Sequence, residues 1–162
     1  MNIHQAIQFL DKQIRKPSLG LPEEVFLFVS RVTPMVNVDL LIKDEKGRTL
    51  LSWRDDQYAG TGWHLPGGIL RFKESLETRV IKVAEKEIGV AVKFDPVPIT
   101  INQTICPHNT RGHFISILYQ CFLSGKFIPN TGLKKKTIGY LQWHDSCPIN
   151  LVKVHKIYSR YI

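Results

Sequence analysis

The sequence predicts one α+β domain, a mixed β-sheet held between α-helices. Two patterns carry that prediction. Apolar and polar residues alternate between Pro34 and Arg54, the period of strands with one buried face. Helical spacing of apolar residues precedes that region, recurs from Leu76 and returns near the C-terminal end. At 162 residues the chain has the size of one ordinary domain, and neither an internal repeat nor a low-complexity linker divides it.

Ile3, Ile7, Leu10 and Ile14 recur at spacings of four and three, so a short amphipathic helix is expected, stopped by Pro17. Its stripe requires a partner surface, on the domain or on a second subunit. Residues 1–20 therefore read as an N-terminal extension and residues 21–162 as the domain proper. Pro22 suits a first helical position, and Glu23 and Glu24 favour the positive end of the helix dipole, so a second helix runs to about Arg31. Val36, Val38, Leu40 and Ile42 then alternate with Asn37, Asp39 and Lys43. The turn Asp44-Glu45-Lys46-Gly47 and a return strand from Thr49 to Arg54 complete a hairpin. Val90 to Phe94, Ile99 to Ile105, His113 to Phe122 and Ile138 to Trp143 are further strands, rich in β-branched and aromatic residues. Leu151, Val154, His155, Tyr158 and Ile162 share one face of a final helix behind an Asn150 cap, with His155 packed in the core.

Composition narrows the function classes. With 43% hydrophobic and 22% charged residues the chain is not disordered. A formal charge of +8 and a pI of about 9.5 give a field that concentrates phosphate-bearing partners. The dense basic run Lys134-Lys135-Lys136 lacks the aromatic or Gly-rich surroundings of an RNA module, so it reads as a solvated loop, and nucleic acid is not the expected partner. Cys106, Cys121 and Cys147 are odd in number and far apart, which argues against a disulfide framework or a Cys-rich zinc site. With no signal-peptide pattern and no apolar run of membrane-spanning length, a soluble cytoplasmic protein is expected.

The chemistry concentrates between Gly67 and Val90, GGILRFKESLETRVIKVAEKEIGV: a Gly-Gly turn, a connection, then a helix from about Leu76, with Ser75 as its cap and Gly89 closing it. Glycine lets backbone approach closely, and a carboxylate near the helix end can hold a divalent cation against a diphosphate. The segment resembles the box of the Nudix hydrolase family, G-x5-E-x7-R-E-U-x-E-E-x-G-U with U a bulky apolar residue, in the register of Gly68, Glu74, Glu87, Gly89 and Val90. The preceding Trp63-His64-Leu65-Pro66-Gly67-Gly68 is similar to the W-x-x-P-G-G entry of the same family.

The departures from the box are chemically specific. The three positions that carry metal-binding glutamates in consensus boxes are Val83, Lys86 and Glu87, and the consensus arginine is Lys82. One carboxylate still suits magnesium, whose shell substrate phosphates and water can complete, but it disfavours multi-metal attack on phosphorus. Within the family the resemblance is closest to GDP-mannose mannosyl hydrolase, and extends from about Glu23 to the last helix through Arg31, Thr33-Pro34, Asp39, Gly47, Leu50-Leu51, Arg54, Trp63 and Trp143.

What the resemblance implies is a Nudix hydrolase domain over residues 21–162, acting as a homodimer on a nucleoside diphosphate linked to another group, foremost a nucleotide sugar. Magnesium, or manganese in its place, is the implied cofactor. By resemblance Glu87 and a carbonyl of the pair Gly67 and Gly68 hold the metal, Arg54 serves the diphosphate, and Asp39 contributes to the sugar side, although Asp39 also reads as a plain strand charge. The family's arginine after the glycine pair is Ile69 here; Arg71, on the same side of an extended segment, is its substitute. Glu74 is read as structural, and Glu77 and Glu85 as solvated. The family's Gln-His pair before the late strand appears as Thr137-Ile138, which leaves His64, His108, His113 and His144 as sources of a general base. Two other readings stand: cleavage of the pyrophosphate bond itself, and a Nudix domain that binds a nucleotide or RNA without turnover.

Overall fold

The computed structural model describes residues 1–129 and 132–162. Helix α1 (Ile3–Gln13) starts with reciprocal capping: Asn2 accepts from the Gln5 backbone, and the Gln5 side chain accepts from the Asn2 backbone. No residue of α1 is buried, and Ile3 and Ile7 are exposed, so its apolar stripe is not covered by the described residues. A 3₁₀ turn (Pro17–Leu19) leads to α2 (Glu23–Val32), which begins directly after Pro22 and buries Phe26 and Ser30.

The described strands form one mixed sheet: β1 (Met35–Lys43), β2 (Thr49–Asp56), β3 (Gly60–His64), β4 (Gly67–Ile69), β5 (Lys93–Phe94), β6 (Thr100–Ile105), β7 (His113–Phe122) and β8 (Leu141–His144). Along one edge β1 runs parallel to β7, from Met35 opposite Phe114 to Lys43 opposite Phe122. Its other edge is divided. Lys43 pairs with Thr49 of β2, whereas Asn37, Val38 and Asp39 pair with Ile69, Gly68 and Gly67 of β4. The expected hairpin therefore holds next to its turn, where Asp44 accepts from the Lys46 and Arg48 backbones and from the Arg48 guanidinium. Beyond it β2 turns away to pair with β3 and β8. The glycine pair takes the vacated edge because it has no side chains. A Cβ on Gly67 would collide with the Asp39 carboxylate and the Val38 carbonyl, and one on Gly68 would stand 2.8 Å from Val83.

Helix α3 (Leu76–Val83), capped by Ser75, covers one face: Val80, Val83, Ala84 and Ile88 pack on Val38, Leu40, Ile42, Ile117 and Tyr119. Leu41, Leu51, Trp53, Trp63, Leu65 and Leu118 form the opposite face, closed by Leu151 and Tyr158. This is the expected helix–sheet–helix sandwich. Its closing element differs from the expectation: it is a 3₁₀ helix (Lys153–Tyr161) without a side-chain cap. Asn150 instead accepts from the Trp63 backbone through its carbonyl, and Leu151 bridges to Trp63. Three residues per turn stack His155 and Tyr158 on one side, and both are buried.

Strand ends shift for local reasons. The Val90–Phe94 segment keeps Lys93 and Phe94 alone as strand, since Gly89 turns the chain at φ 81° and Val90 is exposed. The Ile138–Trp143 segment becomes β8 because Gly139, at φ 83°, and Tyr140 close a turn onto Trp53 and Thr137. No helix among the described residues is long and apolar enough to cross a membrane. The three cysteines are unpaired.

Candidate active site

After Val83 the helix widens into a π turn, Ala84–Ile88, in which Gly89 N–H donates to the Ala84 carbonyl. Such turns are frequent at functional sites. This one leaves Glu87 partly buried on the cavity side, where its carboxylate is hydrogen-bonded to the Gly67 backbone, and leaves Glu85 exposed. Burial, followed by the nearby Asp39 charge, pushes the Glu87 carboxyl up to about 7 against the opposing pull of the Gly67 hydrogen bond, Arg54 and Lys86.

The ladder fixes what the glycine pair can offer. Leu40 donates to Pro66 and Leu70 donates to Val36, so by antiparallel alternation Val38 and Gly68 exchange hydrogen bonds while Asp39 and Gly67 do not. The Gly68 carbonyl is thus committed to β1. The Gly67 carbonyl points away from β1 and is the one open to a ligand.

Asp39 sits 2% exposed within a built network. Tyr158 Oη donates to its Oδ2 at 2.7 Å, Asn37 Nδ2 donates to its Oδ1 at 3.0 Å, and Ser116 Oγ holds Asn37 at 2.8 Å. Burial raises the Asp39 carboxyl to about 6, partly offset by the Tyr158 and Asn37 hydrogen bonds and by Arg54. Arg54 is ion-paired with Asp56, which also accepts from the Tyr58 and Ala59 backbones and so shapes the turn between β2 and β3. The alternation that put Asp39 beside Asn37 and Arg54 beside Ser52 is present, and all four line one cavity of about 850 Å³ with Glu87, Gly67, Gly68 and Arg71.

Glu74 braces the loop before α3. Its carboxylate accepts from the Arg71 backbone, from Arg79 at 2.7 and 2.5 Å and from Lys82 at 3.0 Å. Those partners overcome the cost of its burial and hold it near 2, so it stays ionised through the neutral range. Arg79 went unnoticed in the sequence; its spacing of three from Lys82 is the available signal, since both then reach one carboxylate. Arg71 lines the cavity, with its guanidinium also close to Gly20.

Of the four histidines considered as bases, His64 alone lines the cavity among the described residues. His113 pairs with Gln103, His144 packs on the Trp63 ring and His108 on the Tyr58 ring. His155, expected in the core, is buried and also borders the cavity: its Nδ1 accepts from Leu65 N–H at 3.0 Å and its Nε2 lies 4.0 Å from Asp39. Burial first, then like charges, push both imidazoles down to about 3, so both are neutral at pH 7. Arg111, stacked 4.4 Å from the Tyr58 ring, also lines the cavity; no periodic pattern marks it because its loop carries none.

Comparison with solved structures decides the architecture. The MutT NUDIX hydrolase of Burkholderia pseudomallei superimposes with a TM-score of 0.65 at 23% identity, covering 80% of this chain and 98% of that one. The chain has the Nudix fold. The low-salt glycan biosynthesis protein Agl8 of Haloferax volcanii is 34% identical over 83 residues, 51% of this chain and 53% of that protein. A MutT-like protein of Streptomyces ambofaciens is 34% identical over 90 residues, 56% of this chain and 53% of that protein. The chain thus spans about half the length of the curated relatives it matches. No protein-family model matches it.

The Nudix loop and helix here could hold one magnesium ion through few protein donors. No group of three or more His, Cys, Asp or Glu suited to a metal exists among the described residues. Glu87 has one backbone partner and spare acceptor capacity, Gly67 has an open carbonyl, and both Asp39 oxygens already accept hydrogen bonds. That donor set fits a hard cation that keeps waters and takes substrate phosphate oxygens. Burial raises both carboxyls that face this cavity, so their ionised forms are poorly solvated there and a dication would stabilise them.

Proposed function

We propose that this protein is a Nudix hydrolase acting on a nucleoside diphosphate linked to another group, foremost a nucleotide sugar, with residues 21–162 as the catalytic domain and residues 1–20 as an extension. The observation that carries the reading is the convergence of Glu87, Gly67, Arg54 and Asp39 on one cavity. The glycan-related name of the Haloferax volcanii relative supports a sugar as the attached group.

Magnesium bound at Glu87 and the Gly67 carbonyl would supply charge neutralisation for the departing diphosphate. Arg54, held in place by Asp56, binds the same diphosphate, and Arg71 reaches it from the β4 side. Asp39, fixed by Tyr158 and Asn37, is ionised above about pH 6 and faces positive charge developing at the sugar carbon. His64 is the base: its Nδ1 lies 2.7 Å from the Leu65 carbonyl, which assigns the proton to Nδ1 and leaves Nε2 as acceptor. Burial first, then the His155 and Arg54 charges, keep its basicity low, so it accepts the water proton as the bond from the sugar carbon to the departing diphosphate breaks and not before. The apolar stripe of α1 supports a homodimer.

The test is a screen of purified protein with magnesium against nucleotide sugars and nucleoside triphosphates, with products identified. The reading expects free sugar and nucleoside diphosphate. Sugar phosphate with nucleoside monophosphate would assign pyrophosphate cleavage instead, and binding without turnover would reduce the protein to a nucleotide sensor.

A further inference from the structure

A side cleft of about 430 Å³ opens between the Pro17–Leu19 turn and α3. Arg71, Arg79, Lys82 and Lys86 line it opposite Ser18, with Glu85 as the carboxylate. All four basic residues also line the main cavity, so the two spaces share one basic wall. Glu74 pairs with both Arg79 and Lys82 and offsets one of their two charges. No ion pair or side-chain hydrogen bond engages Arg71 or Lys86 among the described residues, and Lys86 stands where the resembled box carries a metal-binding glutamate. A wall built elsewhere to attract cations is here built to attract anions.

We propose that this cleft is a second anion subsite, which takes a phosphate or carboxylate that the substrate carries beyond its diphosphate. The inference rests on the proposed hydrolase reading and narrows its substrate class: the group attached to the nucleoside diphosphate is itself acidic, either a further phosphate or an acidic sugar. Lys86 supplies a mobile charge that no carboxylate engages, next to Arg79 and Lys82, which Glu74 holds in place. Ser18 brings the N-terminal extension into the substrate-binding surface.

Titration calorimetry in magnesium tests it, with pyrophosphate against tripolyphosphate, and a hexose-linked against a hexuronate-linked nucleoside diphosphate. One charge-assisted contact is worth roughly ten-fold in affinity. Wild type is expected to prefer the more acidic member of at least one pair by about that factor. Preference for tripolyphosphate identifies a longer phosphate chain, and preference for the hexuronate an acidic sugar. Lys86→Met removes the preference; Lys86→Arg and the exposed control Lys156→Met keep it. Equal affinity within both pairs for wild type, or a preference untouched by Lys86→Met, overturns the subsite while pyrophosphate binding still supports the diphosphate site. Failure to bind any of the four ligands overturns both.

Discussion

Replacing Glu87 with Gln is expected to lower turnover by about 10²–10³-fold while making the metal-free protein more stable above pH 7. The first half follows from charge. Losing a metal-holding carboxylate removes several kcal/mol of transition-state stabilisation, and each ~1.4 kcal/mol is a factor of ten. The second half follows from linkage. The Glu87 carboxyl is raised from 4.5 to about 7 in the folded chain, so folding favours its protonated form. That contribution is full below pH 4.5 and is lost as pH rises through 7, leaving a partly buried charge beside Asp39. Gln cannot ionise and keeps an acceptor for Gly67, so the gain at pH 8 should be on the order of 1–3 kcal/mol. Glu85→Gln is the comparison: Glu85 is exposed and lies outside the main cavity, so its effect on stability should stay below about 0.5 kcal/mol and its turnover should fall far less than that of Glu87→Gln. Turnover against best substrate and melting temperature in chelator at pH 5 and pH 8 read both halves. Equal activities of the two variants would remove Glu87 from the mechanism.

Gly67→Ala should cost about 1–3 kcal/mol of stability and roughly 10²-fold in turnover, whereas Gly68→Ala should cost less of each. The neighbours decide the order. At Gly67 the new methyl meets backbone and the Asp39 carboxylate, so β4 must leave β1 or Asp39 must leave Tyr158 and Asn37. At Gly68 it meets one methyl of Val83 and no backbone; that buried β-branched side chain has little rotamer freedom, so the cost there is smaller but not negligible. Urea unfolding with turnover on the same preparations checks the order; a Gly67→Ala protein as stable and active as wild type would mean that β4 does not depend on that close approach.

Much of this was legible because it is local. The glycine pair, the Ser75 cap, Glu74, Glu87 and the Gly89 stop lie within one short segment whose spacing reports one loop and one helix. Alternation also placed Asp39 and Arg54 on facing strands. The divided edge of β1 was not legible, since an alternating pattern states which face is buried and not which strand occupies an edge. β3 and β4 escaped notice because Gly60, Gly62, Gly67 and Gly68 give little strand signal. Tyr158 reads as one more apolar contact of a terminal helix until the fold brings its hydroxyl to Asp39, 119 residues away in sequence. Lys86 is the reverse case: visible at once as a departure, it acquires a role only through the cleft it lines.

The central claim is that Glu87 and the Gly67 carbonyl form an incomplete metal site, which a diphosphate completes. The most direct measurement is the affinity of the protein for a nucleoside diphosphate in saturating magnesium and in chelator, for wild type and Glu87→Gln. Coupling between the two ligands should tighten wild-type binding by at least about ten-fold in magnesium, and Glu87→Gln should abolish the difference. Affinity that ignores magnesium in wild type, or a magnesium effect of the same size in Glu87→Gln, would contradict the account.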